Sequence, residues 1–444
     1  MVRLLVVLFI LVFYVDYLLV DFGQANLGRM VPEAFSGLIL LVFVVQLMFR
    51  RNLALPLKYI VWFVALVALI IISIVVNDVN AGAVVMGIRE NFKYAPVFLL
   101  PLVYRFSSDE MKWLLLAVLG FALLQFPMMA YQRLTSTLLT GDYITGTLHI
   151  STNVSVFLIA AWGVAFGFYL RKQISVWWFA PITVALLGAT MLNETKGSLA
   201  LMPLAFLLPL LFTPGIKNLI PKLMFSGALF VLVAVISSTV SQILLDDRFG
   251  RSMVDFFLNY DAMVAYFLPS TQGGTWIGRG DALLMAWQEV SQNWLSLMIG
   301  VGFGNTNETS SSIFASEYAL DALQVQTGLT LYLWELGILG VLLTSIVPIM
   351  SYRDARALYK SDNMTGYLAT GWTAVCAITM ATLFYIIASE TQAFSYVFWL
   401  FAGYLASENH YRKLEATVTP RANVATLPEL RVATFAPGQG LTRS

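Results

Sequence analysis

The chain has 444 residues, 59% of them hydrophobic and only 11% charged, with a formal net charge of +1. Soluble domains carry roughly 25% charged residues, so the composition excludes an ordinary water-soluble domain and predicts a polytopic α-helical membrane protein. A net charge so near zero supplies no bulk field to recruit nucleic acid.

The N-terminal stretch MVRLLVVLFILVFYVDYLLV sets one Arg before a long apolar run. It lacks a small-residue cleavage pattern and reads as the first span, not as a removed signal. Apolar runs of roughly 17–25 residues mark spans. They fall near 3–21, 33–49, 57–76, 92–105, 112–132, 152–170, 175–192, 197–213, 222–245, 327–350, 366–388 and 391–406. The expected fold is all-α: a polytopic integral membrane protein of about 12 transmembrane helices with one large outward loop. An N-terminal transmembrane bundle occupies 1–245, the loop 246–326, further transmembrane helices 327–408 and a disordered tail 409–444. No internal repeat is visible, which weighs against transporter folds built on inverted repeats.

Lys and Arg set the orientation. With the N-terminus inside, most of the 26 fall on the inner side, including Arg50, Arg51, Lys58, Arg105, Lys112, Arg171, Lys172, Arg353 and Arg356. The 246–326 segment then faces outward and the C-terminus returns to the cytoplasm. Cys376 stands alone in an apolar run, so no disulfide can form within the chain.

The outward loop has internal pattern. Met253, Phe256, Phe257, Tyr260, Met263, Val264 and Phe267 recur at helical spacing, as do Leu283, Trp287, Val290, Trp294 and Leu297. Each set predicts an amphipathic helix lying on the membrane or packed on the spans. Thr271–Gly274 and Gly300–Gly304 read as flexible joints.

The loop's basic residues are Arg248, Arg251 and Arg279, with no lysine, and its acids outnumber them. Arginine alone suggests planar, bidentate work such as gripping a phosphate. Arg89 and Lys196 sit at outer span ends, where a charge needs water, a partner or a ligand. Local pairs would be Arg89 with Glu90, Lys196 with Glu194 and Arg248 with Asp247. His149, in TGTLHISTN, and the loop acids Glu308, Glu317 and Asp321 are candidate bases. His149 and His410 fall on opposite sides, and Cys376 lies within the membrane, so no His/Cys metal cluster is expected. No Gly-rich phosphate loop ends in Lys-Ser/Thr. Phosphate chemistry here would be metal-independent, arginine-based and free of cofactors. Glu335 falls inside a span, where a carboxylate costs about 2.5–3.5 kcal/mol. A partner or an aqueous vestibule is expected beside it, and the same question attaches to Asp16.

Five stretches stand in a telling order: GTLHISTN (146–153), TKGSLAL (195–201), GRGDALLMAW (278–287), GVGFGNTN (300–307) and ELGILG (335–340). Together, over residues 140–345, they resemble the O-antigen ligase and O-antigen polymerase (Wzy-like) superfamily. The resemblance implies a GT-C-like membrane glycosyltransferase of the inner membrane, with its large loop in the periplasm. It would transfer a glycan from an undecaprenyl-diphosphate carrier to an acceptor sugar hydroxyl. Arg279 matches the family's loop arginine. Lys196 stands where the family usually has Arg and forgoes a bidentate grip. The ligases carry a His-Asn pair shortly before E-L-G; here the chain reads Gln324-Val325-Gln326-Thr327, which favours a polymerase over a ligase acting on lipid A-core.

A glycosyl diphosphate leaves readily once its charge is balanced, so cations matter more than a general acid. Arg279, Lys196 and Arg89 would bind the diphosphate. Arg279, Glu317, Asp321 and His149 form the candidate catalytic set. Expected partners are the lipid-linked oligosaccharide, the bilayer and a chain-length regulator protein. A reading of another class is a lipid-linked oligosaccharide flippase. It is weakened because the only acids inside spans are Asp16 and Glu335.

Overall fold

A computed structural model describes residues 1–15, 17–18, 25–49, 56–135, 143–193, 195–214, 278–306, 327–387 and 392–418, with isolated positions between 220 and 261. Asp16, Glu194, Glu308, Glu317 and Asp321 lie outside the described residues, as do almost all of the 253–267 stretch and much of the 222–245 span.

Among the described residues there are fourteen α-helices and no strand. The first nine are α1 (Val2–Ile10, continued by a π turn at Leu11–Val15), α2 (Ala25–Phe49), α3 (Leu57–Val76), α4 (Ala81–Phe92), α5 (Ala95–Val103), α6 (Ser108–Thr135), α7 (Ser151–Leu170), α8 (Val176–Leu192) and α9 (Lys196–Leu211). After the gap come α10 (Arg279–Val290), α11 (Trp294–Ile299), α12 (Gly328–Leu358), α13 (Met364–Thr382) and α14 (Gln392–Val418). Five contain stretches long and apolar enough to cross a bilayer: α2, α3, α6, α7 and α12. The chain is a helical protein of the multi-pass membrane type.

Local chemistry explains the boundaries. Asn363 caps α13 by accepting from the Gly366 amide, and Thr327 and Thr330 form a reciprocal capping box on α12. Pro56 precedes α3, where its missing N–H costs nothing.

Small residues let the central helices approach. A Cβ on Gly167 would run into the backbone of Gly371, so α7 and α13 cross almost backbone to backbone. Gly403 of α14 meets the Phe98 carbonyl of α5 in the same way. Around these crossings Trp162 stacks on Phe166 at 4.9 Å and meets Phe206 at 4.1 Å.

Two expected elements differ. The span expected at 92–105 holds only the short α5, and a further helix, α4, precedes it and ends at Phe92. Pro96 opens α5, and nine residues rise only about 13.5 Å, well short of a hydrocarbon core near 30 Å. The last helix runs on to Val418, past the expected boundary at 408, and its Glu408 and Glu415 both engage Arg105 across the bundle end.

That end holds Lys58, Arg105 and Arg171, three of the described cations assigned to the inner side. Lys58 pairs with Asp354 at 2.6 Å, and Asp354 also accepts from Tyr59 (2.8 Å) and Asn409 (2.6 Å). Arg171 donates to the Ser361 carbonyl at 2.8 Å. These three, placed on one side by counting spans, thus lie at one end of the bundle.

Candidate functional site

The opposite end carries the motif residues. Arg279 opens α10, and its Nε donates to the Tyr385 carbonyl at 3.1 Å. Its guanidinium lies 4.7 Å from the centre of the Tyr385 ring, a cation–π placement. The same ring presses on Gly197: a Cβ there would enter it. Gly197 follows Lys196, the first residue of α9. Tyr385 therefore joins the loop arginine to the start of the TKGSLAL helix.

Hydrogen bonds tie further helix starts to this end. Asn193, fully buried, donates to the Ser151 carbonyl and exchanges hydrogen bonds with Ser155, holding the start of α7 against the turn before α9. Gly328 and Leu329 donate to the Ile386 and Leu383 carbonyls, fixing the start of α12 beside Tyr385. The N-termini of α7, α9, α10 and α12 thus converge. Each carries a partial positive charge, so the region favours an anion even before Arg279 is counted.

His149 lies just before α7. Its turn is held by two glutamines of α6: the Thr147 amide donates to Gln125 at 2.9 Å, and the Gly146 amide to Gln132 at 2.8 Å. His149 adopts φ 60° and stacks on Tyr17 at 5.8 Å. A non-glycine residue in that region costs of order 1–3 kcal/mol, a strain often kept at functional sites.

Arg89 pairs across helices. Its Nε meets Glu33 of α2 at 2.6 Å, and that hydrogen bond raises its pKa further. Glu90, the expected partner, is taken by Lys93 at 2.7 Å. Helical geometry decides this, since adjacent residues point apart whereas positions three apart meet. Arg89 is thus charge-balanced by Glu33.

The GVGFGNT turn departs from the flexible joint expected. Val301, Phe303, Asn305 and Thr306 are all buried. Gly300, Gly302 and Gly304 take φ of 73°, 120° and 90°, which only glycine adopts freely. The turn fills a break in α12 at Gly337, where φ is 64°. The Val301 amide donates to the Trp334 carbonyl at 2.8 Å, and Ser73 donates to the carbonyls of Ile299 and Glu335. Glu335 is 1% exposed, and its Oε1 accepts from the Thr306 hydroxyl at 2.5 Å. The partner expected for this carboxylate is therefore a threonine of the loop, not a vestibule.

The single helix expected across 283–298 is two. It breaks at Ser291–Asn293, and Asn293 caps α11 by accepting from the Ser296 amide. Leu283, Val290 and Leu297 pack on α12 around Leu333 and Trp334, while Trp287 and Trp294 stay exposed. Ala282 and Ala286 supply the tightly buried face.

The chain matches no family model and no curated protein.

The structure brings Arg279 and the start of the Lys196 helix together. It places His149 beside the start of α7 and Arg89 with Glu33. Tyr385 and Thr306 are participants that sequence patterns missed. Tyr385 sits in an apolar run with nothing to set it apart; Thr306 closes a glycine turn, a signal that could have marked it.

Proposed function

We propose that the chain is a polysaccharide repeat-unit polymerase of the inner membrane. On this reading it moves a glycan from an undecaprenyl-diphosphate carrier to an acceptor sugar hydroxyl on the periplasmic face. The observation that carries it is the Arg279–Tyr385–Gly197 stack, which sets a guanidinium at the start of the Lys196 helix, where helix N-termini converge. Such a cradle suits a diphosphate leaving group.

The acceptor oxygen attacks the anomeric carbon as the bond to the diphosphate oxygen breaks. The bonding pair leaves with undecaprenyl diphosphate, whose charge Arg279 and the α9 N-terminus balance. The acceptor proton passes to a base, for which His149, Glu317 and Asp321 are the candidates. Direct displacement inverts the anomeric centre. No metal or cofactor takes part, and a chain-length regulator protein would set the product size.

Purified protein in nanodiscs, given lipid-linked repeat units, tests this. New glycosidic bonds and released undecaprenyl diphosphate are expected. Glycan joined only to lipid A-core would mean a ligase. Movement of intact donor across the bilayer, with no new bond, would mean a flippase.

A further inference from the structure

The segment 278–306 is one continuous brace. Arg279 stands at one end on Tyr385. α10 lays Ala286 and Val290 on α12, α11 follows, and the glycine turn drops into the break at Gly337. At the far end Thr306 meets Glu335. A continuous helix would satisfy the Trp334 carbonyl internally; here the Val301 amide does so. The break and the turn therefore need each other.

Glu335 is the carboxyl member of this joint. Its Oε1 takes the Thr306 hydroxyl at 2.5 Å and the Thr306 amide at 3.4 Å. Its Oε2 is buried with no hydrogen-bond partner among the described residues. An apolar residue would serve a merely packed turn at lower cost, because burying a carboxylate inside a span is expensive. The carboxyl group instead gives the turn a short, directional hydrogen bond that an apolar residue lacks.

We propose that Glu335 is a positioning residue: by clasping Thr306 it locks the glycine turn into the break of α12 and so fixes where Arg279 stands. The proposal rests on Arg279 serving the donor diphosphate, but its physical part can be read without turnover.

The test uses the full chain in nanodiscs with two readouts. The first is amide hydrogen exchange over 279–306. Glu335→Ala and the milder Thr306→Val should each speed exchange of this segment at least tenfold and leave α7 and α13 unchanged. Thr306→Ser should restore protection, because it keeps the hydroxyl. Arg279→Ala should leave protection intact. The second is polymerisation kinetics, where Thr306→Val should lower kcat/KM for the lipid-linked donor several-fold and Thr306→Ser should not. Unchanged protection in Thr306→Val, or in a folded Glu335→Ala, overturns the proposal. So does a kcat/KM for Thr306→Val equal to that of wild type. Full polymerisation by Arg279→Ala would instead sink the diphosphate reading and leave the clasp standing on exchange alone.

Discussion

Arg279 rests on Tyr385 twice over, with its guanidinium 4.7 Å from the ring centre and its Nε donating to the carbonyl of the same residue. One residue thus supplies both a π face and an acceptor to the guanidinium.

Tyr385→Ala removes the ring and keeps the carbonyl. A cation–π contact is worth about 0.5–2 kcal/mol, so KM for the donor should rise roughly 2–30-fold. Tyr385→Phe keeps the π face and should stay within about threefold of wild type. Equal damage from both variants would show that the ring is not what holds the arginine.

Gly337 has φ 64°, and a Cβ on it would strike the backbone of Met298. Gly337→Ala should cost at least about 1–2 kcal/mol from the backbone conformation alone. Gly120, in α6, has nothing within 4 Å of a built Cβ. Gly120→Ala should be neutral or stabilising by up to about 1 kcal/mol. Thermal melts of the two variants in detergent make the comparison.

At the basic end, Lys58→Met leaves Asp354 with only the Tyr59 and Asn409 donors. Breaking a fully buried pair costs roughly 3–5 kcal/mol. Lys58 is 36% exposed, so screening lowers the expected loss to about 2 kcal/mol. Melting temperature should fall while KM for the donor holds. A change in KM without a change in melting would tie this end to the reaction.

Arg89 and Glu33 form a pair partly open to water. Arg89→Ala and Glu33→Gln should each destabilise modestly, with a coupling energy of about 0.2–1 kcal/mol in a double-mutant cycle. Neither should weaken donor binding. Loss of donor binding in Arg89→Ala alone would return this arginine to the diphosphate.

Much of the helical plan was legible, because runs such as 57–76 and 152–170 carry enough apolar residues to need no tertiary context. The glycines at 300, 302 and 304 were visible as a turn, but not as a packed one. Packing depends on Gly337 and Ala83, far away in the chain. Partner choice was hidden for the same reason. Arg89 finds Glu33, 56 positions back, and Lys58 finds Asp354, 296 positions on. The motif arginine could be picked from its residue type, whereas Tyr385 holds it through ring and backbone, which no spacing encodes.

The most direct test of the central claim is polymerisation by Arg279→Ala and Arg279→Lys in nanodiscs supplied with lipid-linked repeat units. Losing a donor that balances transition-state charge costs about 2.7–4 kcal/mol, so Arg279→Ala should lose roughly 100- to 1,000-fold in kcat/KM. Arg279→Lys should fall in between, since it keeps the charge and loses the fork. The melting temperature should stay near wild type, because Arg279 is only half-buried at a helix start. Long polymer made at the wild-type rate by Arg279→Ala would contradict the account.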